Sequence, residues 1–222
     1  MDLFPIFLKL TARHCLVIGA GNLAESKIES LRAANGKVTV IAPQASTRIL
    51  DLAASGEIEL HQRPYAEGDV QGYFLVVTAT NVPAVNRAVY LEATSKNIIC
   101  NAVDDPPFCD FYFPSVVRRG DLQIAISTAG ASPALAQRLR KEINAQLPLD
   151  TGDWLTDLGN LRREVVAAEP LNEERKLLLH QLAQREVCGY DQCPSRTLAR
   201  EHARTNPIPA NPLPQSNDEA KH

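Results

Sequence analysis

The segment from Cys15 to Lys27, CLVIGAGNLAESK, constrains the fold more than any other stretch of the chain. An apolar run breaks at two glycines and resumes with helix-forming residues, so a buried strand must turn sharply into a helix. The spacing Gly19-x-Gly21-x-x-Ala24 fits the G-x-G-x-x-G/A pattern of dinucleotide-binding turns. The first glycine allows the turn, the second lets a pyrophosphate approach the backbone, and a small third residue lets helix and strand pack closely. The helix N-terminus offers free N–H groups and positive dipole character to an anion. From the motif alone three occupants stay open: a dinucleotide, another phosphate-bearing ligand, or nothing beyond the turn itself.

The flanking sequence narrows that choice. Strand-like runs at His14–Ile18, Lys37–Ala42, Ile58–Gln62, Tyr73–Ala79 and Asn97–Val103 alternate with helical stretches at Ala24–Ala34, Thr47–Ala54 and Val82–Thr94. Strands alternating with short helices predict a parallel sheet with right-handed crossovers, an α/β Rossmann-like domain. In that setting the glycine turn is read as a dinucleotide site. An acid for the ribose is expected about 20 residues beyond the glycines, and there the chain has Ala42-Pro43-Gln44. Ribose contacts then fall to the backbone around Pro43 and to Gln44. With Arg48 nearby, this position leaves NAD against NADP unsettled.

Beyond Asp110 the pattern changes. Two strands joined at Arg119-Gly120-Asp121 precede a loop, Ser127-Thr128-Ala129-Gly130-Ala131-Ser132-Pro133, and a helix at Ala134–Gln146 capped by Ser132. Amphipathic helices follow at about Gly152–Ala168 and Asn172–Arg185. The polar, proline-rich end from Thr205 reads as a disordered tail. The expected organisation is a nucleotide-binding domain over 1–113, a hairpin-and-helix segment over 114–147 (a dimerisation segment by the family resemblance given below), a small all-helical domain over 148–204 and a tail over 205–222.

The 222 residues suit one substantial core with a smaller appendage, and a net charge of -3 makes no electrostatic case for nucleic acid. No apolar run approaches the ~20 residues that span a bilayer. The opening MDLFPIFLKL carries an acid where a signal peptide carries positive charge. Five cysteines, an odd number set mostly in apolar runs, favour reduced thiols and a cytoplasmic protein.

Two further constellations bear on chemistry. Asn101-Ala102-Val103-Asp104-Asp105-Pro106 lies at the carboxyl end of a predicted strand, where ligands of open α/β sheets collect. The aspartates either face that crevice or merely shape the turn, and the pattern does not say which of the two points inward. Ser127, Thr128 and Ser132, with Arg138 on the next helix, form a candidate carboxylate-binding loop; simple helix capping is the other reading. Cys188 and Cys193, with His180 upstream, match no common zinc spacing, so no metal site is assigned.

Taken in order, these blocks resemble the siroheme synthase N-terminal module, including free-standing precorrin-2 dehydrogenases, some of which are also sirohydrochlorin ferrochelatases. The resemblance runs through Leu3–Leu10, Val17–Lys27, Val38–Pro43, Ala79-Thr80-Asn81 with Asn86, Cys100–Asp104, Phe113-Pro114-Ser115 and Ile126–Ala136. It implies a homodimer with the hairpin strands as an intersubunit element, and NAD-dependent oxidation of precorrin-2 to sirohydrochlorin, with Fe2+ as a substrate metal in bifunctional members. It implies Asp104 as the catalytic acid/base. The implied NAD site comprises Gly19, Gly21, Asn22, Leu23, Ala24, Pro43, Gln44 and Thr80, and the implied tetrapyrrole-binding residues are Ser127, Thr128, Ser132 and Arg138. The chain departs from the family pattern at Ala20, at Ser26-Lys27 where the family has Arg-Lys, and at Thr128 where it has serine. A dehydrogenase without chelatase activity and a non-catalytic NAD- or tetrapyrrole-binding regulator are the alternatives.

Overall fold

A computed structural model describes residues 3–184. The chain divides into two compact units, one ending at Phe113 and the other starting at Pro114. Cys188, Cys193 and the proline-rich tail lie outside the described residues.

The first unit is built on a five-stranded sheet of β1 (His14–Ile18), β2 (Lys37–Ile41), β3 (Glu59–His61), β4 (Leu75–Thr78) and β5 (Ile99–Ala102). Its strand order is β3-β2-β1-β4-β5 and every pairing is parallel. Helices α1 (Asn22–Ala33), α2 (Thr47–Ala54) and α3 (Pro83–Ser95) connect the strands. Alternate residues of the same strand feed two separate cores. Cys15, Val17, Val38, Val40, Leu75 and Val77 pack with Ala24, Ile28 and Leu31 of α1 and Ile49 and Leu52 of α2. On the opposite face Leu16, Ile18, Ile41, Val76 and Cys100 pack with Val89 and Ala93 of α3. Burial on both faces is why the strands read as continuous apolar runs rather than alternating ones.

The expected elements are present with small shifts at their ends. Helix α1 starts at Asn22, ahead of the predicted Ala24, because Gly21 in an extended conformation serves as its N-cap. Strand β1 keeps its expected bounds, and β2 to β5 are shorter than the runs that announce them, since those runs continue into turns. The Pro106-Pro107 segment, outside the expected elements, forms a short 3-10 helix over Pro106–Phe108.

The second unit opens with the expected antiparallel hairpin, β6 (Ser115–Arg119) and β7 (Leu122–Ile126). Three helices follow, α4 (Pro133–Gln146), α5 (Thr151–Ala168) and α6 (Glu173–Leu182). Helix α4 packs on the hairpin, and the Arg119 guanidinium donates to the Asn144 side chain at 2.8 Å and to the Asn144 carbonyl at 2.9 Å. The hairpin turn at Gly120 presses on α5. A Cβ at Gly152 would stand 2.8 Å from the Gly120 nitrogen, so glycine is required there. Val165 and Leu182 bury the contact between α5 and α6.

Candidate functional site

The site in the first unit forms where the strand order reverses, between the carboxyl ends of β1 and β4. Open α/β sheets bind their ligands at such a switch point. Gly19 has φ +106°, and a Cβ on it would lie 2.5 Å from the Ala79 carbonyl oxygen, so the turn admits no larger residue. Gly21 differs: nothing lies within 4 Å of where its Cβ would be. Its backbone is extended and exposed, and the first-turn N–H groups of α1 have no intrahelical acceptors. Ala24, the small third residue, is fully buried against the sheet. The two glycines and Ala24 thus fit the three separate tasks of a dinucleotide turn, and Gly21 leaves the room a pyrophosphate needs.

The wall after β2 is fastened to this cradle. The Ser46 N–H donates to the Ala20 carbonyl at 3.0 Å, and the Ser46 hydroxyl donates to the Glu25 carboxylate. Pro43 and Gln44, held between these anchors and the strand end, are exposed, as are Asn22 and Leu23. Arg48, the candidate partner of a 2′-phosphate, is instead paired with Glu29 of α1 at 3.2 Å.

The wall after β4 is organised by Asn86, a residue whose task the sequence left unassigned. Asn86 is buried on α3; its side-chain oxygen accepts from the Thr78 hydroxyl at 2.7 Å, the Thr80 hydroxyl at 2.7 Å and the Thr80 N–H at 3.2 Å. Its side-chain amide donates to the Thr80 carbonyl at 3.0 Å. Thr80 therefore spends its polar groups on the loop itself, and its hydroxyl also accepts the Val82 N–H. A polar residue at an apolar-face position of α3 was the available signal for Asn86.

At the end of β5 the two aspartates part company. The Asp105 N–H returns to the Ala102 carbonyl at 3.0 Å, closing a turn around Val103 and Asp104. Asp104 has φ +63°, the left-handed region that this turn position usually gives to glycine or asparagine. Asp105 points to α3, where it pairs with Arg87 at 3.7 Å. Asp104 is exposed and makes no side-chain hydrogen bond or ion pair of its own among the described residues. The charged group that faces it is Lys27 of α1, whose ammonium lies 4.3 Å from the Phe113 ring centre. Burial pushes the Lys27 ammonium below its ordinary value, and the negative charge of Asp104 acts in the other direction. After the turn the chain folds back along β5. Asn101 bridges to Cys109, and its side-chain amide donates to the Phe111 carbonyl at 2.7 Å.

The serine- and threonine-rich loop belongs to the second unit. Ser132 caps α4, its hydroxyl accepting the Leu135 N–H at 3.2 Å, and Pro133 fills the first helical turn as expected. Ser127 and Thr128 accept the N–H groups of Ala129 and Ser132. Arg138 is exposed and paired along its own helix with Glu142 at 3.3 Å. Among the described residues no cluster of three or more His, Cys, Asp or Glu side chains is placed to hold a metal ion, and no helix is long and apolar enough to cross a membrane.

Comparison with known proteins adds a lineage to this geometry. Residues 6–115 match a family model described as putative NAD(P)-binding, and residues 119–146 match one described as sirohaem biosynthesis protein central. The siroheme synthase of Methylococcus capsulatus is 40% identical over 176 residues, 79% of this chain and 37% of that protein. The chain belongs to the siroheme synthase N-terminal module family. A second siroheme synthase, from Thioalkalivibrio sulfidiphilus, is 35% identical over 90% of this chain and 41% of its own length. The chain thus spans well under half of the siroheme synthases it matches. The solved structure of SirC, a precorrin-2 dehydrogenase, superposes with a TM-score of 0.76 at 24% identity, over 91% of this chain and all of that one. That likeness shows that this chain has the same fold as SirC.

Proposed function

We propose that this chain oxidises precorrin-2 to sirohydrochlorin with NAD⁺ and that Asp104 is its general base. The observation that carries this reading is Asp104 itself: an exposed, unpaired carboxylate in left-handed backbone, at the carboxyl edge of the sheet that bears the glycine cradle. Backbone strain of this kind clusters at active sites and ligand clamps.

Gly19, Gly21, Asn22, Leu23 and Ala24 would hold the pyrophosphate at the α1 N-terminus, with Pro43 and Gln44 lining the ribose. When bound, NAD⁺ supplies the two-electron acceptor, so that precorrin-2 and NAD⁺ give sirohydrochlorin, NADH and a proton. Asp104, an exposed carboxylate at the carboxyl edge of the sheet, would accept the ring proton lost in that oxidation. Arg48, the cation that follows β2, is paired with Glu29 rather than held open for a 2′-phosphate, which favours NAD over NADP. The same carboxylate is suited to accept pyrrole protons as Fe2+, a substrate, enters the macrocycle. Ser127, Thr128, Ser132 and Arg138 would bind carboxylates of the ring, and the unit that carries them would supply a homodimer interface. The reduced thiols suit a cytoplasmic setting.

The test is spectroscopic. Purified protein with precorrin-2 and NAD⁺ should develop the sirohydrochlorin absorbance, and Asp104→Asn should not. Sirohydrochlorin with Fe2+ and no nucleotide then examines metal insertion separately. Absence of sirohydrochlorin in the first stage would end the dehydrogenase reading.

A further inference from the structure

Lys27 has no task in the chemistry just described, yet the first unit is built to hold its side chain. The ammonium sits 4.3 Å from the centre of the Phe113 ring, a cation–π contact. Phe113 leans on Phe111 with ring centres 5.5 Å apart, and the Phe111 carbonyl accepts the Asn101 side-chain amide at 2.7 Å. The platform beneath Lys27 is thereby tied to β5, the strand that ends in Asp104. Ordinary surface lysines keep their ammonium in bulk water, whereas this one is half-buried and loses hydration to the ring. It makes no ion pair among the described residues, although Asp104 is close enough to influence its charge. A cation that is partly desolvated, fixed by an aromatic face and left without a contacting carboxylate is prepared for an anion from outside the chain.

We propose that Lys27 binds a peripheral carboxylate of the tetrapyrrole and so fixes the register of the macrocycle against Asp104. The inference rests on the reading of the substrate as precorrin-2, whose ring carries acetate and propionate arms. A carboxylate on Lys27 replaces the hydration that burial removes and leaves the Asp104 carboxylate free to face the ring. An uncharged tetrapyrrole lacks that anchor, so Lys27 is a specificity residue as well as a binding one. The dinucleotide is assigned to the glycine turn and the first turn of α1, whereas the Lys27 ammonium is held on the Phe113 ring.

The test is direct binding to the full chain. Sirohydrochlorin is titrated by absorbance into wild type, Lys27→Met and Lys27→Arg, with NAD⁺ titrated separately by calorimetry. Met keeps the aliphatic stem packed on Phe113 while removing the charge. Lys27→Met should weaken sirohydrochlorin binding by about tenfold or more, the effect of one lost charge-assisted contact. Lys27→Arg should stay within about threefold of wild type. NAD⁺ affinity should be unchanged in both variants, and wild-type affinity for the ring should fall more steeply with salt than that of Lys27→Met. Should Lys27→Met melt early, Lys27→Gln is read in its place. Ring binding within about twofold of wild type in the uncharged variant, or an equal loss of NAD⁺ affinity, overturns the inference. A wild-type chain that binds the ring tightly but never oxidises precorrin-2 removes the dehydrogenase reading and leaves the carboxylate anchor standing.

Discussion

Asp104 couples backbone conformation to chemistry within a single residue. Left-handed backbone costs an ordinary L-residue roughly 1–2 kcal/mol, asparagine and aspartate less, and glycine almost nothing. Three substitutions therefore separate strain from reactivity. Asp104→Gly and Asp104→Asn should melt at or above the wild-type temperature, whereas Asp104→Ala should melt lower by about 2–4 °C for each kcal/mol of strain. All three should lose precorrin-2 turnover by about 100-fold or more if the carboxylate is the base. Melting curves and initial rates read the two effects independently. Retention of turnover by Asp104→Asn would reduce the aspartate to a turn former. Cys15 and Cys100 give a second residue-scale prediction. Burial pushes their thiols from an ordinary 9.0 up to about 11 and about 12. Below pH 9 folded and unfolded chains both keep these protons, so the stabilisation is intact there. Above it the unfolded chain loses protons that the folded chain retains, and stability should fall as pH rises from about 9 toward 11 and 12. Urea midpoints between pH 8 and pH 11 test this, and Cys15→Ala with Cys100→Ala should flatten that slope.

Among the elements, the β4–α3 connection depends on Asn86. Replacing it with alanine strips the buried Thr78 hydroxyl and the Thr80 N–H of their acceptor, while the Thr80 hydroxyl keeps the Val82 carbonyl. Each buried donor left unsatisfied costs about 1–3 kcal/mol. Asn86→Ala should consequently melt several degrees lower and bind NAD⁺ more weakly, since this loop walls the cradle. Asn86→Asp keeps the accepting oxygen and loses only the donation to Thr80, so it should fall between the two. Calorimetric melts with and without NAD⁺ would reveal the ordering. In the second unit Gly152→Ala drives a methyl group into the Gly120 backbone, and overpacking of this sort costs about 1–3 kcal/mol. The strands and the Ser132 cap were legible in the sequence because local rules govern them: apolar runs for strands buried on both faces, and a hydroxyl before proline for the cap. Asp104 against Asp105 was not legible from spacing. The choice is made by Arg87 on a different helix and by a left-handed turn, both products of tertiary structure. Lys27 was likewise opaque, since its surroundings come from Phe113, far along the chain.

At the scale of the molecule, the two units treat their sheet edges differently. In the first, β3 is only three residues long and the returning chain at Cys109 bridges to β5, so both margins are short or covered. In the second, β6 and β7 pair only with each other among the described residues. A two-stranded ribbon is marginal alone, and its outer edges offer unpaired N–H and C=O groups. Helices α4 and α5 support the hairpin, but a helix does not complete a β-ladder. Strand addition from a second copy would. The whole chain should therefore elute as a dimer, at twice the chain mass by light scattering. A fragment of residues 1–113, whose sheet margins are already managed, should be monomeric and still melt cooperatively. A full-length chain that stays monomeric at micromolar concentration would mean that the hairpin is satisfied within one chain, and the homodimer would be lost. A dimeric fragment would instead move the interface to the first unit, where the exposed apolar residues Phe4, Ile6 and Phe7 would be the surface to mutate next.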